Sequence, residues 1–230
     1  MTHSLKKSLH RTLWLLVSFC MVLPGQPQAD TTGNWETVYQ DEDLSVQRRD
    51  YRGSDLDEVK GVVRVKASLN ALVALLRDAS FNQQWVYRSG GARILQQSGY
   101  AQAYVYGVVD APFPMSDRDT VVRFDFRQDP ATHEIIITIR NQPDFLPAEP
   151  GLVRVPDMGG FWRLKPESDG WVEVTYQVYG DPGGWIPVWL ANRAALLSVQ
   201  HTLTNLKSVV GRYEGVVSEY VSEPDAAAAH

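Results

Sequence analysis

Apolar and polar residues alternate through much of residues 35–179, and the repeat lengthens to a helical one beyond residue 187. A period of two places successive side chains on opposite faces of a strand, whereas a stripe recurring every three or four residues marks an amphipathic helix. Residues 35–51 predict two short strands joined by a turn at Asp41-Glu42-Asp43, and 56–67 a third strand carrying Val59, Val63 and Val65. Ser68 has the character of an N-cap for a helix over 69–79 containing Leu72, Val73, Leu75 and Leu76. Residues 81–87 read as an aromatic connector with a helical turn. Strands then follow at 93–97, 100–109, 119–127, 134–141, 153–155 continuing through 161–165, and 171–179, separated by Pro, Gly and Asp clusters. Intervals this tight predict an antiparallel meander and leave no room for crossover helices.

The helical stretch is the last long one. Pro182, Gly183 and Gly184 turn the chain into it, Pro187 suits its first turn, and Gly211 ends it. Trp189, Leu196, Val199, Leu203, Leu206 and Val210 fall on one stripe, and roughly 35 Å of helix needs a broad apolar partner. A twisted sheet of this many strands curls. The expected class is therefore α+β, a curved antiparallel sheet wrapped around a long C-terminal helix. Within 119–127 the alternation turns Thr120, Val122, Phe124 and Phe126 inward. Alternation alone does not say whether they fill a core or line a hollow.

Composition supports one domain with a real core: 230 residues, 44% hydrophobic and 21% charged. The N-terminus stands apart. Lys6, Lys7, His10 and Arg11 precede an apolar stretch at 13–23 and a breaker-containing end at 24–29. That is the layout of a secretory signal peptide, since about 11 apolar residues are short for a bilayer span. The expected organisation is a signal peptide at 1–29, a linker at 30–34, a domain at 35–215 and a flexible tail at 216–230, with the protein secreted or periplasmic. Cys20, the one cysteine, lies within the leader, and Phe19 before it does not suit lipidation. The mature chain is then without disulfide or thiol chemistry. Losing the leader lowers Lys+Arg from 22 to 19 against 27 acids, for a net charge of about −8. Such a balance excludes the basic footprint of a nucleic-acid partner and tight electrostatic docking on anionic lipid. A transient, apolar membrane contact stays open.

Catalytic chemistry finds little purchase. His133 and His201 stand in no metal spacing, and no nucleophile elbow, phosphate-cradling glycine loop or zinc motif occurs. No cofactor or metal is expected, and the chain is not expected to be an enzyme. Asp117 and Asp119 flank Arg118 and read as a salt-bridged strand start. Asn192 falls within the apolar helical stripe, where an unpaired amide costs on the order of 1–3 kcal/mol. It is expected to bond the neighbouring Pro-rich loop or a ligand headgroup, and Arg193 to pair with Asp117 or Asp119.

Three ordered signatures carry a family resemblance. Residues 111–119, APFPMSDRD, resemble the loop and strand start of START domains, the steroidogenic acute regulatory protein-related lipid-transfer modules. Residues 159–162, GGFW, and 181–193, DPGGWIPVWLANR, resemble the family's later signatures in order and spacing. The resemblance spans nearly all of the expected domain. It implies the helix-grip fold shared with Bet v 1-like proteins, and one lipid held in a tunnel between sheet and last helix. On that basis the tunnel is expected to be lined by Val122, Phe124, Phe126, Trp162, Tyr176, Trp189, Asn192, Leu196, Val199 and Leu203. Phe113, Pro114 and Met115 would form the entrance loop. Some cholesterol-binding members place an Arg at the position matching Phe124, so the ligand does not carry over with the fold. The implied function is binding of a hydrophobic small molecule for transfer or sensing outside the cytoplasm. Cyclase or hydrolase chemistry on the same scaffold, or a non-lipid interaction module, is the alternative.

Overall fold

The computed structural model describes residues 33–52 and 54–224; the predicted signal peptide lies outside them. Strand β1 (Glu36–Gln40) turns into β2 (Leu44–Asp50) where Asp41 Oδ1 accepts hydrogen bonds from the Asp43 and Leu44 amides at 2.9 and 2.7 Å. An aspartate side chain closing a turn on its own downstream backbone is the reason such residues punctuate strands. After β3 (Asp57–Lys66), Ser68 caps helix α1 (Leu69–Arg77), its Oγ accepting from the Ala71 amide at 3.0 Å. A 3-10 turn at Asn82–Gln84 leads to seven further strands, β4 (Ser89–Ser98), β5 (Gln102–Val109), β6 (Arg118–Gln128), β7 (Ile135–Asn141), β8 (Val153–Arg154), β9 (Asp157–Pro166) and β10 (Trp171–Asp181). Helix α2 (Val188–Val209) follows and closes in a 3-10 turn over Val210–Tyr213.

Nine strands form one path in the order β1-β2-β3-β10-β9-β7-β6-β5-β4, antiparallel throughout; β8 joins off the path, parallel to β6. The sheet is curved and unclosed, with α2 held against it, as the hydrophobic pattern predicts. At one end the interior is solid. Val199, Leu203 and Leu206 are fully buried with Val59 and Val63 of β3 and Leu72 and Leu75 of α1. Gly61 of β3 lets the helix sit this close, because a Cβ there would lie 2.6 Å from Val199 Cγ1.

Three expectations about boundaries need correcting. The run predicted as one strand over 153–155 and 161–165 is two, β8 and β9, and β8 lies parallel to β6. The strand predicted at 93–97 begins earlier, at Ser89. The segment predicted as a flexible tail is tied down over its first part: Val221 is buried, and the Glu223 carboxylate accepts from the Leu69 and Asn70 amides at 3.1 and 2.7 Å. Those amides are among the orphan donors of the first turn of α1, so the carboxylate both completes the cap and meets the positive end of the helix dipole.

Candidate functional site

The other end of the interior is hollow. A cavity of about 530 Å³ lies between the concave face of the sheet and the N-terminal half of α2, within the range of small-molecule sites. The alternation of β6 builds one wall: Thr120, Val122, Phe124 and Phe126 all line it, as their parity requires. Ile137 and Ile139 of β7, Trp162 of β9 and Tyr176 of β10 continue that wall. Trp162 and Tyr176 stack with ring centroids 3.9 Å apart. Burial alone pushes the Tyr176 hydroxyl up to about 12, since a phenolate is costly away from water. Yet Tyr176 is not among the fully buried residues, because its remaining surface faces the hollow rather than packed side chains. Five of the ten predicted lining residues, Val122, Phe124, Phe126, Trp162 and Tyr176, are thus brought together.

The five predicted from the last helix are not. Leu196, Val199 and Leu203 pack into the solid core. Trp189 points out, 68% exposed. Asn192 is paired, its Oδ1 accepting from the Asp57 amide at 3.0 Å and its Nδ2 donating to the Asp55 carbonyl at 2.9 Å. The amide is satisfied as expected, but by the start of β3 and not by the Pro-rich loop or the cavity. The helix instead turns Ala191, Ala195, Ser198 and Thr202 to the hollow, a stripe about 100° around the axis from the large apolar one, one residue's rotation. Leu190 and Leu197 line it as well, so on α2 the hollow is faced by small side chains with two leucines beside them. The signal was present in the spacing of Ala191, Ala195, Ser198 and Thr202, which repeats at helical intervals.

Solvent-exposed Pro112, Asp181, Arg193 and Ala194 line the cavity between the loop at 110–117 and the start of α2, giving it a mouth there, and exposed Ile94, Gln97 and Val109 also line it along β4 and β5. Of the predicted entrance residues Met115 lines it, whereas Phe113, 96% exposed, and Pro114 lie outside. With exposed Trp185, Val188 and Trp189 at the start of α2, they give the molecule an aromatic and aliphatic fringe.

The predicted pairing around Arg118 is also different. Asp119, fully buried, takes Arg154 of β8 in a bidentate pair, Nε to Oδ1 at 2.9 Å and Nη2 to Oδ2 at 2.8 Å. These hydrogen bonds hold the Asp119 carboxyl below the usual range, against the opposing effect of burial. Asp117 accepts from the Ala111 amide at 2.8 Å and so shapes the loop. Neither pairs with Arg193, which among the described residues has no ion pair. Arg118 has the same parity as Thr120 and Val122, faces the same cavity and is buried. Its place on the inner face was one step beyond the stretch over which the alternation was counted.

A curved antiparallel sheet gripping a helix over an apolar hollow is the helix-grip fold. The START domain family model matches residues 27–214, and the chain belongs to that family. A STAR-related lipid transfer protein from Xanthomonas axonopodis is 35% identical and superposes with a TM-score of 0.72, over 77% of this chain and 98% of that one. Human StAR-related lipid transfer protein 5, at 17% identity and a TM-score of 0.69 over 80% and 89% of the two chains, shares the fold. Among characterised relatives, the bovine phosphatidylcholine transfer protein is 28% identical over 188 residues, 78% of this chain and 85% of its own. An uncharacterized protein of Pseudomonas aeruginosa is 33% identical over 175 residues, 76% and 86% of the two chains.

Proposed function

We propose that this protein binds a single lipid in the cavity between the sheet and α2, and carries or senses it outside the cytoplasm. One observation supports this above the rest: a domain this size packs one end of its helix-sheet interface solidly and leaves an apolar hollow of about 530 Å³ at the other. Empty apolar space costs cohesion, so a fold that keeps it is built for an occupant. Its relatives include proteins whose names describe lipid and phosphatidylcholine transfer. The leader-like layout at 1–29 favours an extracytoplasmic setting.

Binding is hydrophobic in origin. At about 0.8 kcal/mol per methylene, a chain of about 15 carbons gains roughly 12 kcal/mol, against an association cost of about 4–15 kcal/mol. Capture is favourable only when most of the chain is buried, which requires a deep cavity and not a surface groove. The fringe of Phe113, Trp185, Val188 and Trp189 would touch a bilayer at the mouth, by apolar contact given the acidic net charge.

Native mass spectrometry after detergent-free purification, followed by incubation with lipid vesicles, tests the reading. The expected result is one lipid per chain, and loss of that adduct in Ala195→Trp, which fills the hollow from α2. A folded wild-type protein that takes up no lipid would remove the proposal, and chemical conversion of the bound lipid would replace carriage with catalysis.

A further inference from the structure

Two arginines with little exposed surface are each paired with a carboxylate. Arg49 meets Glu58 at 2.6 Å and Arg154 meets Asp119 at 2.8 Å, each with its side chain 12% exposed. Arg118 is buried, with 6% of the residue exposed, and has no carboxylate within 4.0 Å among the described residues. Its Nη1 donates to the Ser116 carbonyl, its Nη2 reaches the Gly183 carbonyl only at 3.5 Å, and its Nε is buried with no partner. A buried guanidinium without a counter-ion costs several kcal/mol, and arginine cannot shed its proton to escape the cost. The compensating anion is therefore to be sought in the space Arg118 faces, which is the cavity.

The cavity as a whole has the same bias. It is lined by four arginines, Arg77, Arg88, Arg118 and Arg193, and by two aspartates, Asp110 and Asp181, in a chain whose acids outnumber its Lys and Arg by 27 to 22. Asp181 is occupied, accepting from the Gly183 amide at 2.9 Å. Arg77 is also occupied, donating to the Tyr100 carbonyl at 2.9 Å. Arg193 stands on the exposed rim, free to swing toward an anion in the mouth.

We infer that Arg118 anchors the headgroup of the ligand, and that the ligand carries an oxyanion, a carboxylate or a phosphate, at the mouth end of an apolar body. This rests on the lipid-binding reading above. The planar fork of a guanidinium matches either oxyanion in a bidentate fashion, so chemistry alone leaves both sources in play. Arg118 also ties the 110–117 loop to the turn before α2 through its two carbonyl contacts, and the oxyanion would share that junction.

Displacement of Nile red from the purified protein by oleate, oleyl phosphate and oleyl alcohol tests this, because the three share a tail and differ in headgroup. The expected result is that one or both oxyanions displace the dye at least about tenfold better than the alcohol, the better of the two identifying carboxylate or phosphate. In Arg118→Gln that ratio falls towards one. If that variant does not fold, Arg118→Lys keeps the charge but loses the fork and is expected to reduce the ratio severalfold. Arg193→Gln reduces it by a smaller factor. Equal displacement by all three amphiphiles overturns the headgroup assignment while leaving lipid binding in place, as does an Arg118→Gln protein that keeps the full preference. Failure of the dye and of every amphiphile to bind overturns both.

Discussion

Gly61 and Val199 meet where β3 crosses under α2, and the absence of a side chain on one sets the seat of the other: a Cβ on Gly61 would fall 2.6 Å from Val199 Cγ1, with Leu203 Cδ1 in contact as well. Gly61→Ala is expected to destabilise the protein by about 1–3 kcal/mol through overpacking. Val199→Ala in the same chain should recover part of that loss, which urea unfolding of the two singles and the double would measure. Strictly additive losses would mean that the added methyl does not press on Val199.

The Asp119–Arg154 pair links the start of β6 to β8, with Arg154 also donating to the Pro143, Leu146 and Pro147 carbonyls. Asp119→Asn leaves a buried guanidinium without its anion and is expected to cost about 3–5 kcal/mol. The pH dependence has a definite sign. Because the folded carboxyl lies below its ordinary value, its contribution is complete above the unfolded value of about 3.9. It is lost as pH falls through the lower folded value. Stability measured from pH 5 to pH 2 should fall less steeply in Asp119→Asn than in the wild type, and parallel curves would show that other carboxylates carry the acid sensitivity.

Glu223 lies 154 residues from Leu69 in sequence and caps it in space. Its carboxylate also accepts from Asn70 Nδ2 at 2.8 Å, while Asn70 Oδ1 accepts from the Ser218 amide at 2.8 Å. Glu223→Ala is expected to lower stability by about 1–2 kcal/mol, the range for losing an N-terminal cap, and truncation after Val217 by more, since Val221 is then lost from the core. A truncated chain as stable as the full one in thermal unfolding would contradict this.

Phe113, Trp185 and Trp189 are large, exposed and clustered in the sequence signatures of the mouth. If they touch a bilayer during lipid exchange, the triple alanine variant should keep its unfolding midpoint yet exchange lipid with vesicles about tenfold more slowly, removal of such side chains withdrawing apolar area from the interface. Undiminished exchange, read by transfer of a self-quenched fluorescent lipid, would assign the fringe another purpose.

Sequence alone determined most of the elements and their order, though not that the run at 153–165 divides into β8 and β9. Period-two alternation, the Asp41 and Ser68 turn and cap chemistry, and the Pro-Gly punctuation before α2 are local properties, and each yields the element it predicts. It also determined which side chains of β6 turn inward, because strand parity has only two answers. Tertiary structure decided what that inward face meets. A stripe of large apolar residues on α2 marks where the helix is held, and only the packing of Val199 and Leu203 against Gly61 shows that the hollow belongs to the small residues beside them. Ion pairing was likewise out of reach: Asp119 finds Arg154, 35 residues away, and leaves adjacent Arg118 facing the cavity, because partner choice depends on which distant strand and loop the curvature of the sheet brings over it.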